Sequence, residues 1–430
     1  MRPWLKKTLK WSGITLVVLA ALYAGAIAYS FHVADQAVAR WRAAGFPTTF
    51  DELAPPVPDE QNAVVVLQKL ATALGKTPTV TDQAVKCLNP RNADDASCTD
   101  FLAQHRAEVD AWREENTAML AMIDMALARP SYYVSFGTEI DNVYIPFTLT
   151  FSSPIYHLAV IDYFRDIKNG DIQTAVDKIQ RLLELFAMHE KSEISPEGHA
   201  FTILLRNNVL YDMEYLSNHE LLSKQQAAAC LAKITAIDLI TNYQHSMANC
   251  LILWNRGNAL ALADDPLWVN AVPIKKFIAK TVFYALFGRY LIEDSFRKAD
   301  KLKAYLTLHD QADSPEDRLA DIARDIQSNL QNSDFDTSMA KTAFVAMAVS
   351  IAKLNITKVK LALLLHKLDH GAYPEALDAL DPAILSPVPH DIFAKQPFVY
   401  MLAGNGTYTL SSPGFDALPF RSEYVYPSYR

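Results

Sequence analysis

The sequence predicts a mainly α-helical protein with an N-terminal transmembrane helix, an irregular stack of α-hairpins and a small C-terminal module that contains a β-hairpin. Three observations lead to this fold class. Residues 12–31 are apolar and uncharged. In most of the following segments, apolar residues recur every three or four positions, as on one face of a helix. Near the C-terminus they alternate with polar residues, which is the period of a β-strand.

The chain of 430 residues is long enough for two or three domains. The patterns divide it into a cytoplasmic basic segment and anchor (1–31), a stalk and Pro-rich linker (32–60), a helical body (61–340) and a C-terminal module (341–430).

The first region predicts a membrane anchor. About 20 apolar residues span a hydrocarbon core of roughly 30 Å. The bases that precede the stretch are Arg2, Lys6, Lys7 and Lys10, and no acid occurs before Asp35. Because positive charge stays in the cytoplasm, we expect a single-pass protein of the bacterial inner membrane with its body in the periplasm. In the alternative, residues 26–28 (Ala-Ile-Ala) end a cleaved signal peptide, and the body is still exported.

The charge of the body limits the partners. The formal net charge is −8, and the residues after position 31 hold 36 bases against 48 acids. Binding to nucleic acid requires basic patches, so this class of partner is not expected. The expected partners are the cytoplasmic membrane, through residues 12–31, and an envelope protein, peptide or glycan.

Cys87 and Cys98 bracket a polar stretch with no helical period. In an oxidising compartment this arrangement predicts a disulfide. Unpaired thiols are an alternative, and a metal pair lacks further ligands at a suitable spacing. Cys230 and Cys250 lie in helical, apolar surroundings and are expected to be buried as small hydrophobic residues.

The first half of the body predicts two helices and an extended segment. Residues 60–74 and 101–128 have helical spacing, and the methionines of the second helix either fill the core or form an adaptable binding surface. In residues 130–151 the alternation of Val143 to Phe151 predicts an extended segment, which Pro146 restricts to an edge. The aromatic residues there seal the core or line a ligand groove.

Punctuating residues predict the helices that follow. Ser153-Pro154 and Ser195-Pro196 should each begin a helix, and Gly170 should end the first of them. We expect Asp171 to cap the next helix, and the capping box of residues 223–226 to open a helix that continues to about Ala263. Residues 274–292 are rich in apolar residues and could form a second membrane span, but a charge at the centre of such a span costs roughly 2.5–3.5 kcal/mol. Because Lys280 and Arg289 lie within this stretch, we expect a buried or interfacial helix.

The C-terminal module begins with a predicted helix over residues 342–370, which Gly371 ends. Residues 397–412 predict a hairpin with a type I′ turn at Asn405-Gly406. A two-stranded hairpin needs hydrophobic support. We expect that support from the stripe of the preceding helix formed by Ala352, Val359, Leu363 and His366.

Residues 360–416 resemble the globular end of type II secretion pseudopilins. In that family a helix leads through a G-x-Y-P turn to a P-x-D-P-(W/F) segment, a strand with Tyr and a closing S-x-G-x-D. The matching positions here are Gly371, Tyr373, Pro374, Pro389, Asp391, Phe393, Tyr400, Ser412, Gly414 and Asp416. The whole layout is also similar to uncharacterised membrane-anchored bacterial envelope proteins. The calcium loop and the prepilin cleavage pattern of pseudopilins are absent, so the resemblance implies a fold piece and no calcium site.

Motif searches favour no catalytic residue and no cofactor. The common nucleotide-binding, hydrolase and zinc-protease patterns do not occur in the sequence. The best metal candidates are His366 and His370, four positions apart on one helix face, with His390 or Asp391 as a third ligand. In the alternative, which we expect, no metal is bound, His366 packs in the helix and His370 stacks beside the Gly371 turn.

Function is therefore predicted only by class. We expect a membrane-anchored envelope protein that serves as a non-enzymatic binding or scaffold module. The alternatives are an envelope hydrolase with an unrecognised site and an accessory protein of a secretion or pilus machine.

Overall fold

A computed structural model describes residues 57–89, 92, 95–132, 147–192, 196–239 and 338–416, together with isolated positions between 15 and 43. The chain divides into two compact units. One comprises residues 1–55, 136–144 and 248–308. The other comprises residues 56–135, 145–247 and 309–430, and it contains all the helices and strands that follow.

Among the described residues, no helix is both long enough and apolar enough to cross a membrane. Most of the predicted anchor, residues 12–31, lies outside the described residues. The same holds for Cys250 and for residues 274–292.

The body begins with four helices. They are α1 (Ala63–Leu74), α2 (Thr79–Leu88), α3 (Ala96–Asn116) and α4 (Ala121–Leu127). Asn62 and Asp95 cap α1 and α3, since each side chain accepts a hydrogen bond from a backbone N–H two residues later. The prediction of one helix over residues 101–128 is wrong. A 3₁₀ turn at Thr117–Leu120 separates α3 from α4.

Helix α5 (Phe147–Lys168) contains Pro154 in its interior. The predicted helix start at Ser153-Pro154 and the predicted extended segment up to Phe151 are therefore wrong from Phe147 onwards. Once a helix is nucleated, each further residue adds one hydrogen bond at little cost, and this extension overrides the strand-like alternation.

Capping signals located the next three helices well at their starts. Helices α6 (Ile172–Ser192), α7 (Pro196–Asn218) and α8 (Lys224–Thr235) follow. Gly170 has a φ of 78°, and Asp171 Oδ1 accepts a hydrogen bond from Thr174 N at 3.1 Å. The capping box of Ser223 and Gln226 is present. The predicted single helix to about Ala263 is wrong at Thr235, where α8 ends and β-branched residues with lower helix propensity cluster. Residues 240–263 of that prediction lie outside the described residues.

Helix α9 (Ser338–His370) packs with the helices of the body and is counted with them from here on, so that the C-terminal module means residues 371–416. Consecutive helices pack on each other in the pairs α5–α6 and α6–α7, while α9 lies against α7 and α8. The interior of this packing is apolar and aromatic, with Leu158, Tyr163, Ile179, Leu210 and Met213 among its fully buried side chains.

The C-terminal module contains two small antiparallel sheets. In one, β1 (His390–Asp391) pairs with β2 (Gln396–Pro397). In the other, β3 (Val399–Leu402) pairs with β4 (Tyr408–Ser411), with Tyr400 opposite Leu410. The short helix α10 (Pro413–Asp416) follows. The predicted hairpin is confirmed, whereas the β1–β2 pair was not predicted.

The hairpin turn differs from the predicted type I′. In residues 403–407 only Gly406 has a positive φ, of 79°. Its N–H donates to Ala403 O at 3.0 Å, and Ala403 N–H donates to Thr407 O at 2.7 Å. This pattern is a type I turn followed by a glycine bulge. Asn405 Oδ1 accepts from Thr407 N at 3.1 Å, which supports the observed turn.

The hairpin packs against the chain that follows α9 and against the end of α7. Tyr400 Oη donates to Pro374 O at 2.7 Å. The rings of Tyr373 and Tyr408 meet edge to face with centroids 4.7 Å apart. Tyr408 Oη lies 3.5 Å from Asn218 Oδ1 at the last residue of α7. The predicted support was a stripe of α9. Its residues Ala352, Val359 and Leu363 are buried, and the helix that carries them lies against α7 and α8.

Candidate functional site

The histidines proposed as metal ligands stack on each other at the end of α9. The ring centroids of His366 and His370 are 4.2 Å apart with an interplanar angle of 20°, and His370 Nδ1 lies 3.0 Å from His366 O. In the part of the chain that the structure describes, no group of three or more His, Cys, Asp and Glu side chains could hold a metal ion. The two rings thus stack on each other, with His370 at the end of α9 directly before Gly371.

Asp391, the other candidate, binds backbone. It is fully buried, and its Oδ1 accepts from Phe393 N at 2.9 Å and Ala394 N at 3.0 Å. Its Oδ2 accepts from Gly414 N at 2.8 Å. A Cβ at Gly414 would lie 2.2 Å from Ala394 N, so only glycine fits this close approach. Asp391 and Gly414 together hold α10 against β1.

Cys87 and Cys98 lie at disulfide distance, with Cα atoms 5.0 Å apart. This separation is within the range that a disulfide spans. The pair joins the end of α2 to the start of α3, and both residues are buried. Cys230 is a buried free cysteine, as predicted. Burial raises its pKa to about 11, so its thiol is unreactive at neutral pH.

The most unusual feature of the body is a layer of buried charges between α6, α7 and α9. We call these residues the ionic layer: Glu190, Arg206, Asn207, Glu214, Ser350, Lys353, Thr357 and Lys360. Each of their side chains is less than 5% exposed. Charged side chains are rarely this deep unless they are paired, so the layer is the strongest functional candidate in the described chain.

One half of the layer surrounds Glu214 of α7. Its carboxylate pairs with Lys353 and with Lys360, the latter at 2.9 Å from Nζ to Oε2. Thr357 Oγ1 donates to Glu214 Oε1 at 2.7 Å. Lys353 Nζ also lies 3.3 Å from the centroid of the Tyr211 ring, which adds a cation–π contact.

The other half is centred on Glu190 of α6. Arg206 Nη1 donates to both carboxylate oxygens of Glu190. Arg206 Nη2 donates to Ser350 Oγ at 2.7 Å, and Ser350 Oγ donates to Asn207 Oδ1 at 2.8 Å. This half therefore links three helices through one arginine.

The two glutamates differ in the cations that face them. Burial raises the pKa of Glu190, because Arg206 offsets the loss of hydration only in part. Burial also acts to raise the pKa of Glu214, but Lys353 and Lys360 together outweigh it and lower that pKa to about 2. Glu214 is therefore fully ionised near neutral pH.

The layer fixes α7 and α9 in a parallel register. Among the hydrogen-bonded pairs that join the helices, three have partners 143 positions apart: Asn207 with Ser350, Glu214 with Thr357, and Ser217 with Lys360. A constant offset means that both helices run in the same direction. Sliding α9 by one turn would break every pair, so these contacts specify the register.

Sequence reasoning missed this layer, although a signal was present. Ser350, Lys353, Thr357 and Lys360 follow one another at intervals of three, four and three, and the other polar residues of positions 343–365 are Asn355 and Lys358. That spacing places all four on one face. A polar stripe on a helix with few other polar positions indicates buried partners on a neighbouring helix.

The arrangement is suited to holding helices together. The Glu214 carboxylate is already occupied by two ammonium groups and a hydroxyl, and that of Glu190 by a guanidinium. Neither carboxylate is poised to take a proton from a substrate.

Comparison with known proteins gave no relative. No family model matches the chain, and neither a curated protein nor a solved structure is significantly similar to it.

Proposed function

We propose that the protein is a single-pass protein of the bacterial inner membrane whose helical body and C-terminal module lie in the periplasm. The observation that carries this proposal is the uncharged stretch of residues 12–31 behind four bases. The placement of Cys87 and Cys98 at disulfide distance supports it, because such pairs persist in oxidising compartments.

We further propose that the body is a non-enzymatic binding or scaffold module for an envelope protein, peptide or glycan. The support is the state of the buried titratable groups, whose charges are used to join helices. In the part of the body that the structure describes, the internally paired helices offer a surface for binding and present no evident reactive group.

The location is tested with two reporters fused separately to the C-terminus of the full chain. We expect active alkaline phosphatase and a dark cytoplasmic fluorescent reporter. The control is a chain in which Arg2, Lys6, Lys7 and Lys10 are replaced by Gln and four lysines are inserted after residue 31, which should invert the pattern. A bright fluorescent fusion with inactive phosphatase in the wild type would contradict the proposed location.

The binding role of the body is tested by crosslinking in intact cells, with a control that retains only residues 1–60. A specific envelope component captured by the full chain and absent from the control supports a binding role. Turnover of peptide, ester or glycoside substrates by the purified chain, if it survives in the Glu214→Gln and Glu190→Gln variants, would favour a hydrolase with a site elsewhere.

A further inference from the structure

Glu220 has an unusual backbone conformation. Helix α7 ends in a Schellman motif, in which Glu220 N donates to Ser217 O at 3.0 Å and Leu221 N donates to Leu216 O at 2.9 Å. Glu220 occupies the left-handed position of this motif, with a φ of 55°. Glycine adopts that conformation without steric cost, whereas a residue with a Cβ is strained there. Because strain of this kind is often found at functional positions, the contacts of the Glu220 side chain are informative.

The side chain of Glu220 joins three parts of the molecule. Its Oε1 accepts a hydrogen bond from Lys367 Nζ near the end of α9. It also accepts one from Tyr373 Oη at 3.4 Å. Lys367 Nζ lies 4.6 Å from the centroid of the Tyr373 ring, and Tyr373 packs edge to face on Tyr408 of the hairpin.

We propose that Glu220 is a latch that holds the C-terminal module against the ends of α7 and α9. The carboxylate is what this position gains over glycine, and it connects the end of α7 to the base of the module, beside the contact of Asn218 with Tyr408. When the latch opens, Tyr373, which is buried in the closed state, becomes accessible, and the module can change its position relative to the body.

The latch is more exposed than the Asp391 contacts inside the module. The side chains of Lys367 and Glu220 are 26% and 45% exposed. Salt therefore screens this ion pair, whereas the buried Asp391 carboxylate and the ionic layer are shielded from it. The latch is the joint that ionic conditions can loosen while both the module and the body stay folded.

The opposing explanation is that Glu220 only ends a helix. The Glu220→Gly variant distinguishes this explanation from the latch. If Glu220 only ends the helix, glycine relieves strain and the module is unaffected or better protected. If Glu220 is a latch, amide hydrogen exchange of residues 371–411 in the full-length protein accelerates by about threefold or more. Unchanged or slower exchange would overturn the proposal.

Lys395 provides a matched control, because it also has a positive φ, of 53°, without being glycine. The Lys395→Gly variant changes the backbone in the same way and leaves the latch intact, so the junction at residues 371–373 should keep its wild-type exchange rate. Equal acceleration at that junction in both variants would assign the effect to the backbone and overturn the proposal.

Salt gives a second readout that does not depend on the folding of a variant. Raising NaCl from about 0.05 M to about 1 M should accelerate amide exchange at residues 371–373 in the wild type and have little effect in Glu220→Gly. A wild-type rate that does not respond to salt would also overturn the latch.

Discussion

The two halves of the ionic layer contain similar groups, but the pKa values of their glutamates are shifted in opposite directions. Glu190 and Glu214 are both buried, and each is bound to cationic side chains. The pKa of Glu190 is raised, whereas that of Glu214 is lowered to about 2. The difference lies in the partners: two lysine ammonium groups face Glu214, whereas Arg206 and a smaller contribution from His189 do not outweigh the burial of Glu190.

This comparison shows that pairing alone does not decide whether a buried carboxylate is favourable. A buried ion loses its hydration, and one partner often fails to compensate for that loss. A second cation and a hydroxyl change the balance at Glu214. We therefore expect the contact between α7 and α9 to depend more on Glu214 than the contact between α6 and α7 depends on Glu190.

The largest expected effect is that of Glu214→Gln. The substitution leaves two buried ammonium groups without a negative partner, so the free energy of unfolding should fall by about 3–5 kcal/mol. Thermal and denaturant unfolding measure it. Lys353→Met is the matched control, because Glu214 then keeps Lys360 and Thr357, and its loss should be clearly smaller. A negligible loss in Lys353→Met would show that the second lysine is not what distinguishes this half.

Glu190→Gln should destabilise less, by about 1–3 kcal/mol. The amide oxygen can still accept a hydrogen bond from Arg206, and Arg206 keeps its bond to Ser350. Denaturant unfolding under identical conditions gives the comparison. A loss as large as that of Glu214→Gln would break the proposed contrast.

The smallest effect is expected for Ser350→Ala, which removes the hydroxyl between Arg206 and Asn207. Loss of these neutral or singly charged hydrogen bonds should cost about 1–2 kcal/mol. Val349→Ala, at the neighbouring buried position of α9, serves as a control for truncation without loss of a polar contact. A negligible effect of Ser350→Ala would show that the Ser350 hydroxyl contributes nothing to the stability of the ionic layer.

Local signals predicted the parts of the fold that depend on local physics. The starts at Asp171 and Ser223 follow from capping side chains close to the helix, and Gly170 and Gly371 mark helix ends through their positive φ. The extension of α5 to Phe147 was not predicted, because adding turns to a formed helix leaves no mark in the hydrophobic period. The hairpin was predicted correctly. Its predicted type I′ turn was wrong, since Asn-Gly fits both a type I′ turn and the observed glycine bulge.

The candidate site was harder to predict than the fold. The ionic layer joins residues 143 positions apart, and no local pattern names the partner of a buried lysine. The stripe of polar residues on α9 could have shown that partners exist, but not that they lie on α7. The role of Asp391 was likewise ambiguous, because a carboxylate that binds a cation and one that binds three backbone N–H groups look the same in sequence.

The pH dependence of stability tests the central claim most directly. Glu214 has an ordinary pKa of 4.5 and a folded pKa of about 2. Its contribution should therefore be complete above about pH 5 and lost as the pH falls to about 2, amounting to about 3 kcal/mol. Glu190, whose folded pKa is raised, contributes with the opposite sign, because its ionisation disfavours the folded state as the pH rises.

The measurement is the difference in unfolding free energy between the wild type and Glu214→Gln, followed from about pH 6 to about pH 2. We predict that this difference is large near neutral pH and shrinks towards zero in acid, where the protonated glutamate resembles glutamine. In Glu190→Gln the destabilisation relative to the wild type should not shrink in acid. A difference for Glu214→Gln that stays constant across this range would contradict the account.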